Sequence, residues 1–298
     1  MKEINDLIRK NDIKPIGYKR YDKVTIINTK EDRLVIKEKT NDIYEYLNSR
    51  GFNYYPKLLK EEDKYQIFEY IDGINMPEEQ KILDMISLVS ILHNKTTYYK
   101  NVDSDTYKQI YEDINNNIEH LRNYYSDLIT LIENKVYPSP SELVLENNIS
   151  KIFACLNYSK GELDKWLELV KNKTKQRYVL LHNNLSLDHY IRNENSYLIS
   201  WNKAKIDIPI FDLYKLYKKY ALNFDFESIL KRYEKTYPLL EEEKKLLFIL
   251  ITLPNKIEFN QTEYDNTILV TNMIETIYKT EKLLEEYSKT KKEYTTNK

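Results

Sequence analysis

Glycine is scarce in this sequence: only Gly17, Gly51, Gly73 and Gly161 occur among 298 residues. A phosphate cradle made of close-packed backbone amides needs several glycines in one loop, so a multi-glycine phosphate loop is excluded. The single cysteine, Cys155, excludes an internal disulfide. With no charged-then-apolar leader at the start, the expected compartment is the reducing cytoplasm. Long apolar runs are missing too; Leu246 to Leu250 is typical of the longest, so no membrane span is expected. Neither sign of charge dominates. With 46 basic and 47 acidic side chains the net charge is -1, and no global field draws the chain to nucleic acid or to an anionic membrane.

What is abundant is Lys, Asn, Ile and above all Tyr, of which there are 28. Tyrosine carries a large apolar ring with a polar tip, so these residues are read as core and boundary packing. The length suffices for one large or two modest domains with an ample core.

The chain is organised around Tyr178 to Trp201, YVLLHNNLSLDHYIRNENSYLISW. A short apolar run ends at His182, a polar loop follows, and two further apolar runs flank Arg192-Asn193-Glu194-Asn195-Ser196, the pattern of a small hairpin. These residues resemble the catalytic segment of the aminoglycoside and choline phosphotransferase superfamily, relatives of protein kinases. There a strand leads into His-x-Asp-x-x-x-x-Asn, and a hairpin later ends in an apolar pair, an Asp and an aromatic residue. Here the matching positions are His182, Asn184 and His189, then Leu198-Ile199-Ser200-Trp201. The resemblance places Asn184 where the catalytic base would stand, His189 at the second metal-binding position and Ser200 at the principal one. His182 would serve the structure of the loop, and Asp188, beside His189, is a possible substitute acid, as is Asp207 beyond the hairpin.

The resemblance extends outward from this stretch. Strands are expected at Ile16 to Tyr21, Val24 to Asn28 and Arg33 to Lys37, and Leu34-Val35-Ile36-Lys37 is similar to the strand that carries the superfamily's phosphate-binding lysine. Its partner acid would be Asp42 or Glu45 on a short helix from Asn41 to Arg50. The turn that would cover phosphates reads Gly17-Tyr18-Lys19-Arg20-Tyr21-Asp22, where Lys19 and Arg20 are expected to be solvated. Tyr65 to Tyr70, then Ile71-Asp72-Gly73, resembles the hinge between lobes, with Glu69 and Ile71 at the nucleotide; its alternation also fits a half-buried edge strand. Pro77-Glu78-Glu79 opens a helix ending in Leu92-His93-Asn94-Lys95-Thr96, where His93 is a structural hydrogen-bonder.

The remainder reads as helical. A long amphipathic helix is expected over Asp105 to Asn134. Pro138-Ser139-Pro140-Ser141 then precedes two further helices, the second announced by Ser159-Lys160-Gly161-Glu162 at capping-box spacing. Asp212, in Pro209-Ile210-Phe211-Asp212-Leu213, would cap the next helix and, by the resemblance, brace the catalytic loop. Helices follow near 225–235, 240–253 and 262–286, and Leu253-Pro254-Asn255-Lys256 is similar to the spore-coat-associated branch of the superfamily.

The expected architecture is α+β: a two-lobed protein-kinase-like fold, with an antiparallel-sheet lobe over residues 1–73, a helical lobe over 74–287 and a disordered tail over 288–298. With the base and both metal positions changed, the expected activity is that of a pseudokinase, a binding or scaffolding protein with no metal and no cofactor, whose partner is an unknown protein or small molecule. The alternative is a divergent small-molecule kinase using ATP and Mg²⁺. A third possibility, a purely helical interaction module, requires the N-terminal strands to be misassigned.

Overall fold

The computed structural model describes the backbone of residues 2–21, 24–39 and 43–296. In chain order, its first half holds α1 (Lys2–Lys10), β1 (Gly17–Tyr21), β2 (Val24–Asn28), β3 (Arg33–Glu38), α2 (Ile43–Ser49), β4 (Leu58–Glu61), β5 (Tyr65–Glu69) and α3 (Glu78–Thr96). Then come β6 (Tyr98–Asn101), α4 (Ser104–Glu133), α5 (Pro140–Val170), β7 (Lys175–Leu181), β8 (Tyr190–Arg192), β9 (Ser196–Leu198) and β10 (Lys205–Asp207). Four helices close the chain: α6 (Ile210–Tyr220), α7 (Phe226–Glu234), α8 (Glu241–Thr252) and α9 (Glu263–Thr296).

These elements form two compact units, Met1–Lys95 with His182–Ala204, and Thr96–Leu181 with Lys205–Lys298. The first is built on an antiparallel sheet of order β1-β2-β3-β5-β4. Side chains alternate between the faces of such a sheet. Ile27, Ile36 and Ile67 therefore share one face and bury it against Leu7 and Ile8 of α1. On the other face Lys37 stands opposite Gln66, and the Phe68 ring meets Tyr44 of α2 at 5.1 Å. β5 lies inside the sheet, not at its edge, because β4 pairs with its outer side.

The first unit extends to Lys95 and takes in α3 and the β8–β9 hairpin, which are fastened to the sheet side. Lys95 donates to the Gly51 carbonyl at 2.6 Å, Ile74 N–H to Arg192 O at 2.8 Å, and Leu198 N–H to Tyr54 O at 2.8 Å. The Trp201 ring completes the attachment, edge-on to the buried Phe52 at 5.9 Å.

The second unit carries a three-stranded antiparallel sheet of order β10-β7-β6, with Tyr98 opposite Tyr178 and Lys205 opposite Leu181. Its helices pack α4 on α5 and α5 on α8 and α9. A buried ion pair fixes the sheet to α8: Arg177 Nε donates to Glu243 at 2.9 Å, and its guanidinium lies 4.2 Å over the Tyr237 ring.

Three sequence expectations change here. The insert after Pro140 is one helix of 31 residues, not two. Ser159 is buried in its interior, while Ser139 and Glu142 begin it, Glu142 accepting from Ser139 N–H at 2.8 Å. Asp212 does not cap α6. The N-cap is Pro209, and Asp212 lies in the first turn, fully buried. At the end, α9 continues through Thr296, past the boundary expected at 287.

Candidate active site

β7 delivers the chain to His182, and the next seven residues close a loop on themselves. Asn183 takes a left-handed conformation, φ 60°, which a short polar side chain tolerates best after glycine. Its Nδ2 donates to Lys203 O at 2.7 Å, tying the loop to the turn beyond the hairpin. The buried His182 approaches the Ile199 carbonyl with Nε2 at 2.9 Å, and its ring meets the Trp201 ring at 4.7 Å. Residues Leu187–His189 form one 3-10 turn, closed by His189 N–H on Ser186 O at 2.9 Å.

This folding brings Asn184, His189 and Ser200 together. His189 Nδ1 lies 2.6 Å from Asn184 O, and Ile199 N–H donates to His189 O at 2.9 Å. Because a carbonyl oxygen only accepts, His189 carries its proton on Nδ1. Ser200 is held in the left-handed region, φ 67° and ψ 49°. A non-glycine residue there is strained, and such residues gather at functional sites. Among the described residues, neither the Asn184 amide nor the Ser200 hydroxyl makes a hydrogen bond.

Lys37 belongs to the same unit. It is half-buried, with Nζ 5.8 Å from the centre of the Phe68 ring. Burial pushes its pKa below the usual lysine value, and among the described residues no carboxylate opposes that shift. The expected pairing with Glu45 is not formed. Glu45 is exposed on α2 and lines a groove of about 640 Å³ with Tyr44, Tyr55, Gln66 and Tyr197. Asp42, the other candidate acid, lies outside the described residues.

Glu69 also stands apart from Lys37. The pleat turns it to the opposite sheet face, where its Oε1 accepts from Lys57 N–H at 2.8 Å. In the segment expected as a hinge, Tyr70 N–H donates to Arg33 O at 3.1 Å. Beyond it, among the described residues, the backbone groups of Ile71, Asp72 and the Gly73 N–H make no hydrogen bond within the chain. Gly17 to Tyr21 are extended in β1 and not in a turn, and the turn residues Asp22 and Lys23 lie outside the described residues.

Asp188 is exposed on the 3-10 turn and makes no hydrogen bond or ion pair among the described residues. Asp207 is committed elsewhere, to Lys205 at 2.5 Å and to Ile208 N–H at 2.9 Å. Among the described residues, no three His, Cys, Asp or Glu side chains are grouped so that they could hold a metal ion. Mg²⁺ prefers hard oxygen donors, one or two of them carboxylate. The set offered here is an amide, an imidazole whose Nδ1 is engaged and a neutral hydroxyl, and it does not fit that ion. Sequence reasoning missed Asn183. The signal for it was an Asn directly after the loop histidine, a residue type suited to a left-handed backbone.

No family model matches this sequence, and no curated protein matches it. Solved structures do. An aminoglycoside phosphotransferase from Alicyclobacillus acidocaldarius is similar over 91% of this chain and 92% of its own, with a TM-score of 0.66 at 9% identity. Spectinomycin phosphotransferase, solved with ADP and spectinomycin, is similar over 94% of this chain and 98% of its own, with a TM-score of 0.51 at 13% identity. At such identities the likeness is one of fold. The chain therefore has the protein-kinase-like fold of these phosphotransferases, with a small antiparallel-sheet region and a larger helical one. A purely helical module is ruled out by the five-stranded sheet. Among the described residues no helix is long and apolar enough to cross a membrane.

Proposed function

We propose that this protein is a pseudokinase: a phosphotransferase-like fold that serves in binding or scaffolding and has lost metal-dependent phosphoryl transfer. One observation carries it. Asn184, His189 and Ser200 occupy one loop and hairpin with no carboxylate among them, and the His189 ring is spent on holding Asn184 O at 2.6 Å. Phosphoryl transfer depends on positioning and on neutralising charge, chiefly through metal-bound carboxylates. An amide at position 184 cannot take the proton of a hydroxyl substrate as a carboxylate does.

The test is nucleotide turnover by the purified protein with ATP or GTP, in Mg²⁺ or Mn²⁺, against a panel of hydroxylated small molecules. The expected result is no product above the level of an Asn184→Ala variant. Metal-dependent turnover that disappears in Asp188→Ala would overturn the proposal in favour of a divergent small-molecule kinase.

A further inference from the structure

Twice in this fold an arginine is held by the same two kinds of group. The Arg33 guanidinium lies 4.2 Å from the centre of the Tyr70 ring and pairs with Asp72; that of Arg177 lies 4.2 Å from the centre of the Tyr237 ring and pairs with Glu243. A guanidinium suits such a place because its flat face stacks on the ring while its edge donates to the carboxylate. The groove of about 640 Å³ lined from α2, β4, β5 and β9 presents tyrosine rings and a carboxylate too, with no arginine in its lining.

The charges of the groove leave one carboxylate over. Glu61 is paired with Lys39 at 2.5 Å, and Lys57 and Glu69 bring one charge of each sign. Glu45 makes no hydrogen bond or ion pair among the described residues. Gln66, only 2% exposed, donates through Nε2 to Glu61 at 2.9 Å. A carboxylate only accepts, so the amide is fixed with Oε1 turned away from Glu61, and that oxygen receives no donor from the described residues. An acceptor this deep gains from a ligand that brings a donor. The aromatic wall is Tyr44, Tyr55 and Tyr197. The first two rings are 5.1 Å apart, and Tyr197 is brought to them by Leu198 N–H on Tyr54 O at 2.8 Å.

We infer that this groove binds an arginine side chain of a partner protein, with the guanidinium stacked on the tyrosine wall and donating to Glu45 and to Gln66 Oε1. This deepens the proposed function, on whose binding role it rests, and places that role away from the loop: Asn184, His189 and Ser200 do not line the groove. A guanidinium carries five donors in one plane and no acceptor, which matches two acceptors beside an aromatic wall; an ammonium is compact, more strongly hydrated and stacks less well. A peptide is favoured over a free guanidinium compound because Asn48 and Asn53 are exposed in the lining, where their amides both donate to and accept from a main chain.

The experiment is fluorescence-anisotropy titration of the full chain into a labelled short peptide of glycine and serine around one arginine, with versions carrying lysine or citrulline in its place. Citrulline keeps the shape of arginine and loses the charge. The arginine peptide is expected to bind saturably, the citrulline peptide roughly 10-fold or more weaker, the size of a lost charge-assisted bond, and the lysine peptide in between. Glu45→Gln should weaken the arginine peptide by a similar factor and leave the citrulline peptide unchanged, the signature of a direct pair. Glu133→Gln, at an exposed position of α4, should leave both unchanged. An unaltered thermal midpoint in each variant without peptide confirms that the fold is intact.

No saturable binding of the arginine peptide, equal affinity for the arginine and citrulline peptides, or an unchanged affinity in a folded Glu45→Gln would each overturn the inference. Methylguanidine binding as tightly as the peptide would overturn the assignment to a protein partner. Turnover separates the two claims. Metal-dependent product formation defeats the pseudokinase reading whatever the peptide does, whereas a failed peptide titration without product defeats only the arginine inference.

Discussion

The Nδ1 of His189 lies 2.6 Å from the backbone carbonyl oxygen of Asn184, five residues earlier, and closes the loop from within. The ring occupies the place where a metal ligand would be expected and spends its proton on main-chain geometry. His189→Ala should therefore behave as a stability mutation, costing about 1 kcal/mol for a net intramolecular hydrogen bond. A urea titration reads it as a lower midpoint with unchanged slope. A midpoint equal to wild type would mean that the bond contributes nothing.

Ser200 sits at φ 67°, where a Cβ is strained and a branched one more so. The expected order of stability is Gly, then Ser, then Val at this position, with Ser200→Val about 1–2 kcal/mol below wild type. Thermal midpoints of the three proteins check the order. Equal stability for Val and Ser would show that the left-handed turn is not held in solution.

Lys37 provides a pH dependence. Its folded pKa is lowered by burial, so between that value and the unfolded value near 10.5 the unfolded chain binds more protons than the native one. Stability contributed through this group therefore rises with pH across that window, and it is lowest where both states are fully protonated. Lys218, whose pKa burial pushes down to about 8, adds a slope of the same sign. Lys37→Met should raise stability near neutrality and flatten the rise up to about pH 10, where unfolded tyrosines begin to ionise. Denaturant midpoints measured over this range decide it; an undiminished slope in the variant would assign the effect elsewhere.

Gly161 lies within α5, and a Cβ built on it meets nothing within 4 Å. Gly161→Ala should stabilise the protein by about 0.5–1 kcal/mol through the lower backbone entropy of the unfolded chain. Calorimetry showing a lower midpoint would indicate a break in the helix at this residue.

Much of the sheet region was legible because alternation is a local property. Val24–Asn28 was expected with those bounds, and the hairpin was placed from its turn formers. β6 was not found, since Tyr-Tyr-Lys-Asn has no alternation and is a strand only because it pairs with β7. Ser159-Lys160-Gly161-Glu162 failed in the opposite way. The capping pattern is present, but Ser159 is buried where α5 packs against α8, and tertiary burial outweighs the cost of one helical glycine.

By itself the sequence determined the chemistry on offer: one cysteine, four glycines, no long apolar run, and Asn, His and Ser at the three positions where the resemblance calls for Asp, Asn and Asp. Residue identity and spacing suffice for that. Only the tertiary structure decided how those groups are used. That His189 turns inward to Asn184, that Ser200 is held left-handed, and that Lys37 forms no ion pair with Glu45 or Glu69 depend on strand pairing and helix placement among residues far apart in the chain. Hydrogen bonding and desolvation are set by such neighbours, and no local pattern encodes them.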